Sequence, residues 1–298
     1  MSIKIGTRKS KLALIQTEIV ISELRKVRPD MEYVVTPITT KGDKILDRNL
    51  YDIGGKALFL KELEEKLLCG EIDMAVHSMK DVPGVLPEGC KIMAVLERED
   101  PRDCFVSLKY KSILDLPKNS VIGTSSVRRK AIIEAIRPDL KSVMFRGNVN
   151  TRLEKLKSGV VDATILACSG LKRAGLFNES FCFPIDSREM IPAVGQGVIC
   201  VEGRAADQDA QDLCNLINHL PTANLVQAER SFLSYLNASC DTPMGAYACY
   251  EEEKVKASYM LASTDSKRLE FYHATTSIDN TEKLGVDAAK RLLKAHVS

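Results

Sequence analysis

The sequence predicts an α/β protein with more than one domain. Its first 100 residues alternate strand-like and amphipathic helical segments, which is typical of βαβ units and a largely parallel sheet. A second series of this kind runs from about 104 to 190, and the last 80 residues place consecutive strands between helices, which is typical of a small α+β domain. Because 298 residues are long for a single core, we expect two or three domains.

Each element follows from the hydrophobic period. Alternating or continuous apolar runs bounded by polar turns predict strands, and apolar residues three and four positions apart predict helices. The predicted strands are 3–7, 33–39, 72–77, 91–96, 104–108, 120–124, 141–146, 161–167, 245–251, 256–262 and 269–276, and residues 191–202 are predicted to form a crossing segment and another strand. The predicted helices are 11–27, 56–69, 205–219, 222–236 and 281–295. Residues 42–57 show charges and glycines but no period, and we interpret them as a mobile lid loop.

Arginines recur where predicted helices begin. Arg8, the pair Arg128-Arg129 and Arg146 with Arg152 each follow a short apolar run and precede a periodic stretch. Cations at a helix N-terminus oppose the helix dipole, at a cost of roughly 0.3–1 kcal/mol each, whereas the free N–H groups there favour an anion. Three such starts, each at the C-terminal end of a predicted strand, indicate a binding site for a molecule with several carboxylates or phosphates.

The charge distribution narrows the class of ligand. The net charge is only +2, but residues 121–157 carry nine Lys or Arg and three acids. This patch could bind a nucleic acid or a small polyanion. A small polyanion is favoured, because aromatic residues make up 5% of the chain and Phe145 is the single aromatic within residues 121–157 that could stack on a base.

Cysteine and histidine usage predicts a reduced, metal-free cytoplasmic protein. Nine cysteines are scattered singly, without a C-x-x-C pair, and the four histidines are dispersed. No apolar run approaches the roughly 18 residues of a membrane span, and the strand pattern near residue 3 leaves no room for a signal peptide.

Two further residues are candidates for chemistry. Asp81 follows a buried-looking strand, where a carboxylate would face the ligand crevice and could transfer a proton or stabilise a cation; the alternative is a turn residue before Pro83. Cys240 lies in a loop between a helix and a strand, flanked by small residues, and is more accessible than Cys168 or Cys200 inside apolar runs.

These segments together resemble the porphobilinogen deaminase (hydroxymethylbilane synthase) family over almost the whole chain. Eight motifs match in order, and their combination is highly specific. They are Thr7-Arg8-x-Ser10-x-Leu12-Ala13-Leu14, Gly54-Gly55-Lys56, His77-Ser78-Met79-Lys80-Asp81-Val82-Pro83, Arg98-Glu99-Asp100-Pro101-Arg102-Asp103, Gly123-Thr124-Ser125-Ser126-x-Arg128-Arg129, Arg146-Gly147-Asn148-Val149-x-Thr151-Arg152, Pro192-Ala193-Val194-Gly195-Gln196-Gly197 and Cys240-x-x-Pro243-x-Gly245.

The resemblance implies a transferase that joins four porphobilinogen molecules head to tail, releases ammonia each time and hydrolyses the product off as hydroxymethylbilane. It implies a dipyrromethane primer bound by a thioether to Cys240, and a catalytic role for Asp81. It also implies two periplasmic-binding-protein-like lobes and a small C-terminal α+β domain. The expected domains are 1–98 with 195–216, 99–194, and 217–298.

The remaining implied site residues share the ability to bind carboxylates. For the cofactor they are Ser78, Lys80, Thr124, Ser125, Ser126, Arg128, Arg129 and Arg146; for the substrate they are Arg8, Ser10, Arg146 and Arg152. The expected partner is porphobilinogen, bound by a monomer that associates with neither nucleic acid nor membrane.

The sequence departs from the family pattern at three places. Lys11 replaces a common proline, Ala57 replaces a glycine after Gly54-Gly55-Lys56, and Ala238-Ser239 replaces two glycines before Cys240. If those two glycines adopt positive φ, Ala and Ser carry a penalty there and the loading of the cofactor could differ. Two alternative functions are a non-catalytic, two-lobed polycarboxylate-binding protein and a nucleic-acid-binding protein that uses residues 121–157.

Overall fold

The computed structural model of the chain describes residues 2–40, 42, 60–238, 242–263 and 268–297. This part divides into two compact units, residues 1–99 with 198–224 and residues 100–197 with 225–298. It contains two five-stranded sheets and one three-stranded sheet, with helices packed on them. The predicted α/β class, with two lobes and a small C-terminal α+β part, is confirmed.

The described strands and helices, in chain order, are as follows. The strands are β1 (Ser2–Arg8), β2 (Glu32–Ile38), β3 (Met74–Ser78), β4 (Cys90–Val95), β5 (Asp103–Val106), β6 (Val121–Gly123), β7 (Lys141–Val143), β8 (Ala163–Ala167), β9 (Cys182–Pro184), β10 (Ile199–Arg204), β11 (Met244–Glu251), β12 (Lys254–Ala262) and β13 (Leu269–Ser277). The helices are α1 (Lys11–Val27), α2 (Lys61–Leu68), α3 (Val127–Ile136), α4 (Val149–Lys157), α5 (Cys168–Arg173), α6 (Gln208–Asn215), α7 (Leu220–Tyr235) and α8 (Thr281–Val297).

The first unit is built on the sheet β2-β1-β3-β10-β4. Helix α1 buries Val20, Ile21 and Leu24 at helical spacing against the strands, and α6 packs into the same core cluster through Leu213. Helix α2 covers a second cluster, where Leu63 and Leu67 pack on Ile38, Ile72 and Ala75. Both clusters draw on strands of this one sheet, whose β1 and β3 are parallel neighbours.

The second unit contains the sheet β7-β6-β8-β5-β9 and the sheet β11-β12-β13. The two sheets share a core cluster, to which β5 contributes Phe105 and β12 contributes Met260. Helices α7 and α8 bury the other face of the small sheet, where the rings of Phe232 and Tyr259 lie 4.9 Å apart. The small sheet therefore forms one compact unit with the second lobe, and a separate domain at 217–298 stays a prediction.

The two large sheets are less parallel than the sequence predicts. Strand β10 runs antiparallel to both β3 and β4, and β5 runs antiparallel to both β8 and β9. Each of these strands follows a segment in which the chain passes from one unit to the other, and neither is connected to its neighbours by a βαβ crossover. The sequence pattern of a buried strand is the same in either direction, so it carried no signal for this reversal.

Most predicted boundaries agree with the structure to within two residues, with larger differences at the end of β7 and at both ends of α6, which ends at Asn215 rather than 219. Strand β7 ends at Val143 rather than 146, and α6 begins at Gln208 rather than 205 because Asp207 caps it by accepting from the N–H of Ala210. Residues 43–57 of the predicted lid and residues 56–59 of the predicted second helix lie outside the described residues.

Acidic side chains are buried in the first unit. His77 Nε2 of β3 lies 2.9 Å from Glu202 Oε2 of β10, so the histidine has a partner within the core. Glu64 of α2 is 4% exposed, and its Oε1 has no hydrogen-bond partner among the described residues. Burial, reinforced by the nearby carboxylates of Glu202 and Glu65, raises the pKa of Glu64 to about 7. Glu64 therefore takes up a proton near neutral pH.

The raised pKa of Glu64 predicts that the protein loses stability as the pH rises from 4.5 to 7. A carboxyl group with a folded-state pKa above its unfolded value binds more protons in the folded state in this interval, so ionisation costs up to about 3 kcal/mol of unfolding free energy. We expect Glu64→Gln to match the wild type in urea unfolding at pH 5 and to be more stable at pH 8. Glu18→Gln, at an exposed ion pair of α1, is the control. Equal pH profiles for the wild type and Glu64→Gln would contradict the prediction.

Candidate active site

The predicted site residues of the first unit lie at one edge of its sheet. Strands β1 and β3 are parallel neighbours, with Gly6 opposite Ala75, so both end at the edge where α/β sheets bind ligands. Arg8 is the last residue of β1, and Ser78 is the last residue of β3. Lys80 and Asp81 follow in a single 3₁₀ turn. All of these side chains are partly exposed.

Asp81 is available to a ligand. The turn is fixed through its backbone, since Met79 N donates to Val198 O and Val82 N donates to Met79 O, both at 3.0 Å. Within the described part of the chain, the Asp81 carboxylate accepts no hydrogen bond. A partly exposed carboxylate held by a rigid backbone can transfer a proton or stabilise a positive charge on a bound molecule.

Ser10 and Ser78 have structural partners of their own. Ser10 is the N-cap of α1 and accepts from Ala13 N at 3.3 Å. Ser78 Oγ and the Gln16 amide of α1 hydrogen-bond at 2.8 Å, which joins the helix to the end of β3. The Ser10 hydroxyl proton remains available to a ligand, because a cap uses only a lone pair of the oxygen.

In the second unit, small polar residues shape the turn between β6 and α3. Thr124 Oγ1 accepts from Ser126 N, and Ser125 Oγ donates to Phe145 O. Ser126 is the N-cap of α3 and accepts from Arg129 N at 3.4 Å. These hydroxyls therefore already hydrogen-bond to backbone groups in the turn and at the helix start, where the sequence predicts that a ligand binds. Each hydroxyl can still form a further hydrogen bond.

Arg128 and Arg129 converge on one buried carboxylate, Asp103, the first residue of β5. Asp103 is fully buried, and the two arginines are 3% and 7% exposed. Arg128 Nη1 lies 2.7 Å from Asp103 Oδ2, while Arg129 Nη2 and Nε lie 2.7 and 3.1 Å from Oδ1. Burial alone would raise the pKa of Asp103, but the two guanidinium groups hold it well below its usual range. The carboxylate is therefore ionised and leaves one positive charge in excess.

The third arginine-lined helix start belongs to α4. Asn148 caps this helix through Thr151 N, and Arg152 Nε donates to Gly147 O at 2.8 Å. Gly147 has a φ of +125°, and a Cβ there would lie 2.9 Å from Thr151 Cγ2, so the turn requires glycine. Arg146, which precedes it, is partly exposed and is thereby brought to the start of the helix.

These arginines form a cationic cluster within the second unit. Burial, followed by repulsion from Arg129 and Arg146, lowers the pKa of Arg152 to about 10. The cluster is therefore positively charged at neutral pH and crowded enough for its members to repel each other. Arg128 Nε is buried and has no hydrogen-bond partner among the described residues. A buried donor without a partner is costly, and a bound carboxylate would satisfy it.

Cys240 lies outside the described residues, as does Ser239 before it. Ala238 is described and is not among the residues with positive φ, whereas the preceding Asn237 has a φ of +45°. The penalty that we considered for Ala238 therefore does not arise, because the left-handed residue of this turn is Asn237, a residue type that tolerates it.

Sequence reasoning assigned no role to Asp103 or to Gln196. Gln196 is buried, and its Nε2 donates to Asp103 Oδ1 at 3.0 Å and to Pro101 O at 2.6 Å. The one sequence signal for Asp103 is an acidic residue at the start of an otherwise apolar strand. Such a residue needs a buried cation, and the adjacent Arg128-Arg129 pair supplies two.

The described residues contain no group of three or more His, Cys, Asp or Glu that could hold a metal ion. No helix in the described ranges is long and apolar enough to cross a bilayer.

Solved structures offer only distant similarity. The periplasmic VFT2 domain of BvgS from Bordetella pertussis is 14% identical, with a TM-score of 0.44, over 72% of this chain and 86% of that one. The probable amino-acid ABC transporter extracellular-binding protein YtmK from Bacillus subtilis is 15% identical, with a TM-score of 0.43, over 72% of this chain and 89% of that one. Values this low bear on neither fold nor function.

Sequence relatives are much more similar. Porphobilinogen deaminases from Rickettsia canadensis and Rickettsia akari are each 54% identical, over 98% of this chain and 97% of theirs. The enzyme of the same name from Rickettsia typhi is 52% identical over 98% of both chains.

Two family models cover nearly all of the sequence. Residues 3–212 match the model described as porphobilinogen deaminase, dipyromethane cofactor binding domain, and residues 223–294 match the porphobilinogen deaminase C-terminal domain. These matches show that the chain belongs to the porphobilinogen deaminase family of transferases, which carry a dipyrromethane cofactor.

Proposed function

We propose that this chain performs the family's reaction with Cys240 as the point of cofactor attachment and Asp81 as the catalytic carboxylate. The reaction joins four porphobilinogen molecules with loss of ammonia and ends with hydrolytic release of hydroxymethylbilane. The observation that supports this proposal best is the cluster of Arg128, Arg129, Arg146 and Arg152. Its excess positive charge suits a chain of pyrroles in which every ring carries two carboxylates.

The residues present fit a dipyrromethane. Its carboxylates need buried or partly buried donors, and the Arg128 Nε atom is a buried donor without a protein partner in the described ranges. When bound, the cofactor supplies the free pyrrole α-carbon to which the first substrate is joined. We assign carboxylate binding to Arg128 and Arg146 of the second unit and to Lys80 of the first, while Thr124, Ser125 and Ser126 in the second unit and Ser78 in the first orient the turns that carry these cations.

Asp81 stabilises the positive charge that develops on a porphobilinogen as its amino group leaves as ammonia. A carboxylate close to the pyrrole N–H lowers the energy of that cation, and the same oxygen can accept the proton released when the new carbon–carbon bond forms. Its partner-free position at the end of β3 supports this role, because no protein donor in the described part competes for its oxygens.

Incoming substrate is bound by Arg8 and Arg152, with Ser10 contributing its hydroxyl proton and Arg146 shared with the cofactor. Arg8 and Ser10 flank the start of α1, where the helix dipole adds to the attraction for a carboxylate. These roles for individual arginines stay predictions.

We also propose that the protein is a cytoplasmic monomer that binds neither nucleic acid nor membrane. Among the nine cations in residues 121–157, Arg128 and Arg129 pair with Asp103, Lys130 with Glu134 and Arg137 with Asp139. The patch is therefore less available to a nucleic-acid backbone than its sequence indicates. Family membership favours the enzyme over the non-catalytic binding protein.

Intact mass tests the attachment site. We expect the purified wild type to be heavier than its sequence by two deaminated porphobilinogen units, or to gain that mass on incubation with porphobilinogen, and Cys240→Ser to do neither. Cys249→Ser, which removes a thiol from β11 of the small sheet, is the control and should carry the added mass. A loaded Cys240→Ser protein would place the thioether elsewhere. A wild type that neither gains mass nor consumes porphobilinogen would refute the proposed function.

Substitution of Asp81 tests its catalytic role. In the cofactor-loaded fraction, we expect Asp81→Asn to lower kcat by about 10²- to 10⁴-fold, because the neutral amide can neither accept a proton nor offset the cation. The KM should change little, and Asp81→Glu should keep an intermediate kcat. Porphobilinogen consumption is the measurement, with Asp30→Asn at a surface ion pair as the control. An Asp81→Asn enzyme that keeps more than a tenth of the wild-type kcat would exclude this role.

Two substitutions at Ser10 separate its capping role from substrate binding. Ser10→Ala should lose about 1 kcal/mol of stability through the missing N-cap. Ser10→Asp should keep the cap and gain from the helix dipole, but its negative charge should repel the substrate carboxylates and raise the KM several-fold. Thermal unfolding and steady-state kinetics measure the two effects. If Ser10→Asp is stable and keeps the wild-type KM, Ser10 acts only as a cap.

A further inference from the structure

The two adjacent arginines of α3, Arg128 and Arg129, differ in how many of their guanidinium nitrogens are bound by protein groups. All three nitrogens of Arg129 are engaged, Nε and Nη2 by Asp103 and Nη1 by Ile165 O at 2.8 Å. Arg128 uses Nη1 for both Asp103 and Ile191 O, the latter at 2.6 Å, while its Nε has no partner among the described residues. One guanidinium is therefore fixed by protein groups, and its neighbour is fixed at one corner only.

Asp103 is itself held rigidly. It begins β5, which lies between β8 and β9, and it pairs with Ala167 of β8. Ile185 N donates to Asp103 O at 2.8 Å, and Gln196 Nε2 donates to Oδ1. The carboxylate thus has its position set by the sheet and its orientation set by three donor side chains.

Stability alone does not account for this arrangement. Removing two guanidinium groups and a carboxylate from water costs several kcal/mol for each ion, and apolar residues of similar volume often stabilise a fold as well or better. The trio also retains one unbalanced positive charge. The trio instead provides Arg128, whose guanidinium is held by Asp103 at Nη1, while Nε at another corner has no partner among the described residues.

We propose that Asp103 is a positioning residue for the reaction: it anchors Arg128 through Nη1, so that the Nε side of this guanidinium is directed at a carboxylate of the bound pyrrole chain. Arg129 acts with it, as a second cation that keeps Asp103 oriented, and Gln196 adds a neutral donor. This inference rests on the proposed function, and it divides the Arg128-Arg129 pair into one ligand-binding residue and one positioning residue.

The experiment compares Asp103→Asn with Asp139→Asn in the full chain. Asn at 103 keeps the shape of the side chain but removes the charge and turns an amide N–H₂ towards a guanidinium. Asp139 is a matched control, because it accepts from Arg137 Nε and Nη2, both at 2.7 Å, in a pair outside the cluster. The readouts are intact mass for cofactor loading, urea unfolding for stability, and KM and kcat of the loaded fraction.

We expect Asp103→Asn to reduce the loaded fraction and to raise the KM for porphobilinogen by about 10- to 100-fold, since a small misplacement of a binding group can cost this much. Asp103→Glu should restore part of the loading, because it returns the charge. The Asp139→Asn protein should match the wild type in loading and KM. A purely structural role would lower stability without changing the KM.

A folded Asp103→Asn protein with full loading and a KM within twofold of the wild type would overturn the inference. If that variant does not fold, Gln196→Leu decides, since it removes a neutral donor to Oδ1 without removing a charge. A raised KM in Gln196→Leu supports the inference, and an unchanged KM overturns it. A wild type that lacks both the added mass and porphobilinogen turnover would refute the proposed function instead, so the two failures are distinguishable.

Discussion

The arginine cluster of the second unit depends on the ion pairs of Asp103. A single fully buried carboxylate forms ion pairs with two guanidinium groups and accepts a hydrogen bond from an amide, and it lies at the start of a strand in the interior of a sheet. Without it, Arg128 and Arg129 would be buried without a counter-ion, which is strongly destabilising in a protein interior. With it, one positive charge remains in excess, and that excess is what an anionic ligand would neutralise.

At each of the three helix starts, cations lie near the positive end of the helix dipole, and the resulting repulsion is reduced in different ways. Ser10, Ser126 and Asn148 each cap a helix whose first turn carries no acid, so the free N–H groups are partly satisfied although cations lie nearby. The cations are then directed away from the helix axis. Arg129 turns to a buried carboxylate, and Arg152 turns to the carbonyl of Gly147. The cost of placing arginines against the dipole is thereby reduced before any ligand arrives.

Local features of the sequence predicted most of the fold, because helices and hairpins depend on near neighbours. The bounds of α1 were predicted at 11–27 without error, and the three strands of the small sheet were predicted within two residues. The directions of β5 and β10 were not predictable, since these strands join sheets formed by distant parts of the chain. The same limit applies to the site. Arg128 and Arg129 could be identified from the helix start, but their pairing with Asp103 joins residues 25 and 26 positions apart and needs the fold.

Two buried carboxyl groups show how neighbours decide the outcome of burial. Glu64 and Asp103 are both removed from water, and burial raises the pKa of each. Glu64 has carboxylates nearby and is raised to about 7, whereas Asp103 has two guanidinium groups in contact and is lowered. Glu64 of the first unit can therefore lose its negative charge by taking up a proton. Asp103 of the second unit cannot do this, because its protonation would leave two buried cations uncompensated, so the charge of the Asp103, Arg128 and Arg129 trio stays fixed over the pH range in which Glu64 titrates.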